Sequence, residues 1–482
     1  MTDPINVAKL DLESLTDFQR KIYEPKSQDE EIEARFAYNS KKSTWSTHLP
    51  IKLQCRQETD EIVYFPNMKF DYLLYTYLRI KLPTLKVKDI YKKNVQICWP
   101  HNVGLNIIKQ GVLQSDGETC QTINDIWLNI HSQYFMKPGK CSHFNVMIGN
   151  VPFLEQWSTL LPEYILTVPQ PWYYSNHYGY ALPLFLCSGS TITHRYRYRL
   201  RFEEILRMRV FNANKQEWTE IPYNFKYLEG VSADEHIAIP ELWGRHAEIT
   251  VDERNWLLEE NQKKKNSSIY IEDVVTYSSE NTYHFGSTIP MDLHCQFPSK
   301  TLYWVAENMQ ATKNRNFSNF TTNAHSLFEG WNPCQYGKLL YGGVERIPES
   351  QHELFDRTEP WYHLQTIPRE PGYNVISFAY DNIPQITDIS VVMEEVKGKL
   401  VVKIGNTDPF LKKIAIKRID ELPESSADGE DIIPDELKVN KNEDLIDKQT
   451  SFKLHVCLLI IKKLKFANNK CHVSTSKKIK SQ

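Results

Sequence analysis

The sequence predicts an all-β chain built from two β-rich halves, each interrupted by a short helix. Three observations carry this. Short apolar stretches recur from about residue 25 onward, broken by Pro, Gly and Asn, the pattern of many short strands in a sandwich or barrel. Aromatic residues make up 12% of the chain, with 26 Tyr and 11 Trp, which suits sheets and interfaces better than helices. The pattern also runs to about residue 205 and then restarts. Such a layout suggests a duplicated fold, although no internal sequence repeat is visible. A chain of 482 residues is long enough for roughly two to four domains with large cores.

Residues 1–24 read as a polar arm. Strand-like stretches follow at IKLQC (51–55), LLYTYLRIKL (73–82), NVQICW (94–99), LNIIKQGVLQ (105–114), YILTVP (164–169) and LPLFLC (182–187). Between them, QTINDIWLNIHSQYF (121–135) carries Ile123, Ile126, Trp127 and Ile130 at helical spacing, with Thr122 or Asn124 as candidate caps. In the second half HAEITV (246–251), SIYIEDVVTY (268–277), LHCQFP (293–298), LYWVAE (302–307), KLLYGG (338–343) and NVISFAY (374–380) read as strands. DERNWLLEENQKKK (252–265) reads as a helix with an acidic start and a basic end, which complements the helix dipole. From about residue 420 the chain turns acidic and then lysine-rich. Few large apolar residues stand there apart from Phe452, VCLLII (456–461) and Phe466, so 420–482 is expected to be a disordered tail.

RYRYRLRF (195–202) is the most sharply patterned stretch. Arg195, Arg197, Arg199 and Arg201 alternate with Tyr196, Tyr198, Leu200 and Phe202. A period of two puts the arginines on one face of a strand and the apolar side chains on the other. One reading is a nucleic-acid platform, with arginines on phosphates and aromatics on bases. The other is a strand with a buried aromatic face and acidic neighbours such as Glu203 and Glu204. The second is favoured, because the aromatics point away from the face that would meet phosphate.

The net charge of -3 supplies no general field for nucleic acid. The nine cysteines (Cys55, Cys98, Cys120, Cys141, Cys187, Cys295, Cys334, Cys457 and Cys471) are scattered, odd in number and without a CxxC. This argues against a disulfide framework or zinc site and for reduced thiols in a cytosolic compartment. The N-terminus lacks an apolar secretory core, so the sequons at Asn266, Asn316 and Asn319 are expected to be chance matches. VCLLII is too short to span a bilayer. No G-x-G-x-x-G, Walker A, H-E-x-x-H or G-x-S-x-G occurs. His352 with Glu353 and Asp356, and Cys141 with His143, are pairings expected by chance, and Asp252 with Glu253 reads as a helix start. No catalytic, cofactor-binding or metal-binding residue is assigned, and no cofactor is expected.

Several collinear segments resemble the major capsid proteins of large nucleocytoplasmic DNA viruses, the family of iridoviruses and chlorella viruses. These are NVGLNIIKQGVLQSDGE (102–118), INDIWLNI (123–130), FNVMIGNVPFL (144–154) and VPQPWYYSNHYGYALPLFLC (168–187), then ITVDERNWL (249–257), IPMDLHCQFPSKTLYWVAE (289–307) and EPWYHLQTIPREPGYNVISFAY (359–380). Each is weak alone; their order over about 100–380 is specific. After Tyr380 the chain departs from the family's pattern, reading DNIPQITDISVVMEEVKGKLVVKIGNTDPF, so the last strands of the second half are less well marked.

The resemblance implies a double jelly roll, two eight-stranded antiparallel β-sandwiches with short helical insertions. It divides the chain into the arm, a first roll over 25–205, a second over 206–419 and the tail. It implies a structural, non-enzymatic subunit of a virion shell, assembled in the host cytoplasm. The expected partners are two further copies in a trimeric capsomer, neighbouring capsomers, and minor capsid, cement and penton proteins. The basic end could also meet an anionic inner viral membrane. No sequence-specific nucleic acid is expected. RYRYRLRF would close the first roll, its arginines facing the neighbouring roll, a partner subunit or the capsid interior. Three other functions stay open: a glycan-binding module using Trp172, Trp331 or Trp361, a scaffold that shapes a membrane transiently, and a glycosidase.

Overall fold

The computed structural model describes residues 45–136, 139–212, 216–263, 267–295, 297–379, 391–392, 398–405, 450–467 and 469–474. The N-terminal arm, the acidic stretch 420–448 and the sequon at Asn266 lie outside them. Two β-sandwiches stand side by side, and every strand pairing among the described residues is antiparallel.

In the first sandwich, one sheet orders strands Trp45–Lys52, Glu241–Ile249, Tyr72–Leu82 and Tyr164–Pro169, with Leu182–Pro183 also on Tyr72–Leu82. The facing sheet orders Gln54–Glu58, Glu61–Phe65, Ile192–Tyr198, Ile108–Ser115 and Glu118–Asn124. IKLQC thus spans two strands, and buried Leu53 marks the passage from one sheet to the other. Leu73, Leu78 and Ile80 from one sheet meet Tyr64, Leu113 and Tyr196 from the other in a common core. A smaller sheet joins Val95–Cys98, Arg207–Asn212 and Glu217–Ile221.

The second sandwich packs a sheet of Ser267–Ser278, Phe452–Ala467, Pro298–Asn308 and Tyr373–Ser377 on one of Thr288–Leu293, Gly398–Ile404, Cys334–Tyr341 and Val344–Gln351. Leu302, Trp304, Val456 and Leu458 meet Ile289, Leu293, Leu400 and Val402 in its core.

Several sequence-based expectations change; LNIIKQGVLQ, for one, begins in helix Val103–Asn106 and is a strand only from Ile108. The first unit does not stop near 205, because Arg207–Asn212 pairs with Val95–Cys98 and Glu241–Ile249 lies between Trp45–Lys52 and Tyr72–Leu82. The expected tail contains the longest of the described strands, Phe452–Ala467, hydrogen-bonded to Ser267–Ser278 on one side and Pro298–Asn308 on the other. LPLFLC is a strand only at Leu182–Pro183, after which Leu184–Cys187 forms a 3-10 turn. LHCQFP is not a strand: Thr288–Leu293 ends at its first residue and Pro298–Asn308 begins at its last.

The VCLLII run has a physical reason. Val456, Leu458 and Ile460 project into the second sandwich, while Cys457 and Leu459 project into the core shared with the first. A strand buried on both faces reads as a continuous apolar run and not as an alternation. Strand Gly398–Ile404 forms after the departure from the family pattern and pairs with Thr288–Leu293 and Cys334–Tyr341.

Both expected helices form. Asp125–Tyr134 is capped by Asn124, whose side chain accepts from the Trp127 N–H at 2.7 Å, leaving Thr122 in the preceding strand. Val251–Lys263 carries Asp252 and Glu253 in its first turn and Lys263 in its last. The family-like FNVMIGNV stretch is a helix, Cys141–Ile148, ended by Gly149 at φ 92°. A Cβ there would meet Val103 at 2.7 Å and Leu166 at 2.8 Å, so both conformation and space require glycine.

Candidate functional site

Strand Ile192–Tyr198 is central in its sheet, flanked by Glu61–Phe65 and Ile108–Ser115. Its aromatic face is core: Tyr196 is fully buried, packs edge-on to Tyr64 and Trp172, and stacks on Tyr198. The arginines find protein partners. Arg195 donates to Glu58 at 2.9 Å and Glu61 at 3.2 Å, and Arg197 reaches Glu61 at 2.9 Å. Arg199 donates to Asp125 at 2.5 Å and to the Asn106 carbonyl at 2.8 Å, and its guanidinium lies 4.4 Å from the Phe317 ring centre. Arg201 takes Glu203 at 3.4 Å, whereas Glu204 binds Lys109 at 2.7 Å. Glu203 is thus a partner as expected. Glu58, Glu61 and Asp125 carried no local signal, because they lie far upstream and are brought in by pairing.

Phe317 belongs to the second half, so the arginine row ends at the seam between the sandwiches. Buried amides build that seam. Asn129, on helix Asp125–Tyr134, accepts from Asn102 at 3.1 Å and from Ser318 at 2.7 Å, and donates to Asn106 at 3.1 Å. Asn106 also donates to Ser318 at 2.7 Å. All four are nearly or wholly buried, and the satisfied network spares them the cost of desolvation without a partner. Beside it, Trp127 and Tyr134 pack on Tyr303 at 5.7 and 5.0 Å between ring centres. The Thr122 N–H donates to Asp273 at 2.9 Å and Asn124 to Thr276 at 3.0 Å. Burial pushes the Asp273 carboxyl up, while Lys462 at 2.5 Å opposes this.

His101 closes one end of the seam. Its Nδ1 is 2.8 Å from Glu155 of the first unit and its Nε2 2.8 Å from Glu370 of the second. Burial alone would lower this imidazole, but Glu370 and Glu155 outweigh burial and hold it at about 10. Next to it opens a cavity of about 580 Å³, rimmed by Phe328, Trp361 and Ile367. Phe328 is 80% exposed and Trp361 70%.

The other singled-out residues scatter. His352 Nδ1 lies 2.8 Å from Asp356, which also accepts from Asn332 at 3.2 Å. Glu353 lies 3.3 Å from His352. His143 lies 3.4 Å from Ser142, two residues into the helix that Cys141 begins. Trp172 is fully buried with its N–H on Tyr196, Trp331 is half-buried, and Asn316 and Asn319 are buried. Among the described residues no group of three or more His, Cys, Asp or Glu is placed to hold a metal ion. Among them, too, no helix is long and apolar enough to cross a membrane.

Comparison with known proteins follows the two-part layout. Residues 35–213 match the family described as major capsid protein N-terminus, and residues 253–388 match that described as large eukaryotic DNA virus major capsid protein. The chain is 25% identical over 368 residues to the major capsid protein of Lymphocystis disease virus 1 (isolate Darai), covering 72% of this chain and 77% of that one. It is 24% identical over 401 residues to the major capsid protein of Invertebrate iridescent virus 6, covering 74% and 82%. The fold superposes on a chain of the PBCV-1 virus capsid with a TM-score of 0.63 at 12% identity, covering 90% and 97%. The Faustovirus major capsid protein gives a TM-score of 0.63 at 7% identity, covering 88% and 91%. The fold is therefore that of the double jelly roll capsid proteins. Within that class, the chain belongs to the major capsid protein family of large eukaryotic DNA viruses.

Proposed function

We propose that this chain is the main structural subunit of an icosahedral shell, three copies forming a capsomer of near-hexagonal outline. The seam supports this reading. Buried amides, aromatics and Arg199 tie the two rolls into one block, and three two-lobed blocks around an axis give six similar wedges. A cyclic trimer closes on itself, leaving weaker contacts with neighbouring capsomers and with minor capsid, cement and penton proteins to extend the shell. We infer a first roll over 45–249 and a second over 251–474. Assembly in the host cytoplasm and a place in the virion complete the reading.

The protein acts without catalysis and without sequence-specific nucleic acid. Arg195, Arg197 and Arg199 are already engaged by Glu58, Glu61 and Asp125. Any contact with an anionic inner membrane falls to Lys477, Lys478 and Lys480. Mass photometry of the purified chain tests the assembly, with a species at three times the 56.6 kDa chain mass expected. A monomer alone at micromolar concentration overturns it. Absence from purified particles would point instead to a transient scaffold.

A further inference from the structure

Three cysteines far apart in sequence meet at one point. Cys120 lies in strand Glu118–Asn124, Cys187 ends the turn Leu184–Cys187, and Cys471 lies in strand Lys470–Ser474. Lys470–Ser474 belongs by pairing to the second roll, as the return strand of a hairpin with Phe452–Ala467. Its backbone nevertheless docks on the first roll. Ser115 Oγ donates to the Cys471 carbonyl at 2.9 Å, the Cys471 N–H donates to Ser190 Oγ at 3.3 Å, and the Gly189 N–H donates to the Asn469 carbonyl at 2.9 Å. This docking packs Lys470–Ser474 against strand Glu118–Asn124 and turn Leu184–Cys187, and so sets the Cys471 thiol beside those of Cys120 and Cys187. All three are buried. Tyr173 borders the cluster, and its buried hydroxyl has no hydrogen-bond partner among the described residues.

We propose that this cluster is a redox-controlled cross-link site, in which Cys120 and Cys471 join as a disulfide when the chain meets a small-molecule disulfide such as oxidised glutathione. The Cys471 thiolate attacks one sulfur of that disulfide, forming a mixed disulfide and releasing one small thiol. Cys120 gives up its proton to solvent and attacks Cys471 Sγ, releasing the second small thiol. Two protein thiols are oxidised and one external disulfide is reduced, so electrons and protons balance. The hydrogen bond with Cys471, and then burial, hold the Cys120 thiol well above its ordinary range. For Cys471 the hydrogen bond with Cys120 acts downward, but the contact with Cys187 and burial outweigh it. Neither is a ready thiolate while the strand is docked, so the first attack belongs to molecules with Lys470–Ser474 undocked. The bond then closes a loop over most of the chain and fastens the last described strand of the second roll to the first.

Peptide mapping of the full chain decides this. The reduced protein is incubated with oxidised glutathione, remaining thiols are alkylated, and cross-linked peptides are identified by mass spectrometry. A Cys120–Cys471 peptide is expected, together with a melting temperature several degrees above that of the reduced protein and reversed by reductant. Cys471→Ala loses both bond and shift, while Cys187→Ala keeps both, which separates the cross-link from a packing defect at Cys471. The proposal is overturned if the three thiols stay open to alkylation after denaturation, or if only glutathione adducts form. It is equally overturned if Cys471 bonds Cys187 in place of Cys120, or if the oxidant links Cys55 or Cys141, the two thiols nearest solvent.

Discussion

Ser318 donates to the side-chain oxygen of Asn129 at 2.7 Å across 189 residues of chain. That bond joins a loop of the second roll to a helix of the first at a place with little access to water. It makes the relative position of the rolls a matter of amide chemistry as well as apolar packing. A polar network specifies one arrangement because any slip leaves several buried groups unsatisfied at once.

Asn129→Leu removes an acceptor shared by Asn102 and Ser318 and a donor to Asn106. Each group left buried without a partner costs about 1–3 kcal/mol. A total loss of about 3 kcal/mol is expected, read as a lower urea midpoint. An unchanged midpoint would show that water fills the gap without penalty.

Truncation at residue 449 should prevent the second roll from folding. It removes Phe452–Ala467 from between Ser267–Ser278 and Pro298–Asn308, exposing two strand edges and emptying both cores that its side chains enter. Insoluble expression, or rapid proteolysis of residues beyond 251, is the expected result. Leu458→Asp offers a milder form of the same test, since Leu458 is fully buried.

The His101 clamp gives a pH dependence with a definite sign. The folded imidazole sits at about 10, above the ordinary 6.5. The folded state therefore holds the proton more tightly than the unfolded state. The stabilisation is fully present below about 6.5 and is lost as pH rises through about 10. The melting-temperature gap between the natural chain and His101→Gln should shrink from pH 6.5 to pH 10. A gap that widens over that range would reverse the assignment.

The arginine row should divide by environment. Arg197 is more than half exposed, so Arg197→Gln should change stability by about 0.5 kcal/mol or less. Arg199 is largely buried against Asp125, the Asn106 carbonyl and Phe317, so Arg199→Gln should cost about 2–3 kcal/mol. Neither should alter nucleic-acid binding. A steep salt-dependent affinity for DNA, lost in the double variant, would reinstate the platform reading.

Much of the architecture was readable from local pattern. The period of two in RYRYRLRF placed Tyr196 in the core and Arg195 and Arg197 opposite, because side-chain direction in a strand follows from backbone geometry alone; the strand ends at Tyr198 and a short helix starts at Phe202, so Arg199 and Arg201 lie beyond it. Thr122 or Asn124 before an apolar run with helical spacing marked the start of Asp125–Tyr134 to within two residues, because capping is satisfied locally, and the structure selects Asn124. Asp252, Glu253 and Lys263 marked Val251–Lys263 for the same kind of reason. The seam was not readable. Asn102, Asn106, Asn129 and Ser318 resemble ordinary turn and helix residues until two sandwiches press them together.

By itself, then, the sequence determined which stretches extend, which coil and which face of each is apolar, since those properties depend on neighbours one to four positions away. Only the tertiary structure decided what each face meets. It gave Arg195 the carboxylates of Glu58 and Glu61 and not Glu204. It also set Val456–Ile461, short and lysine-flanked, in the middle of a sheet between two cores. A continuous apolar run is compatible with either a solvated tail or a doubly buried strand. The choice lies with strand edges 144 to 199 residues earlier, as in the pairings of Asn308 with Phe452 and Ser267 with Phe466, whose hydrogen bonds and buried area offset the entropy of ordering it.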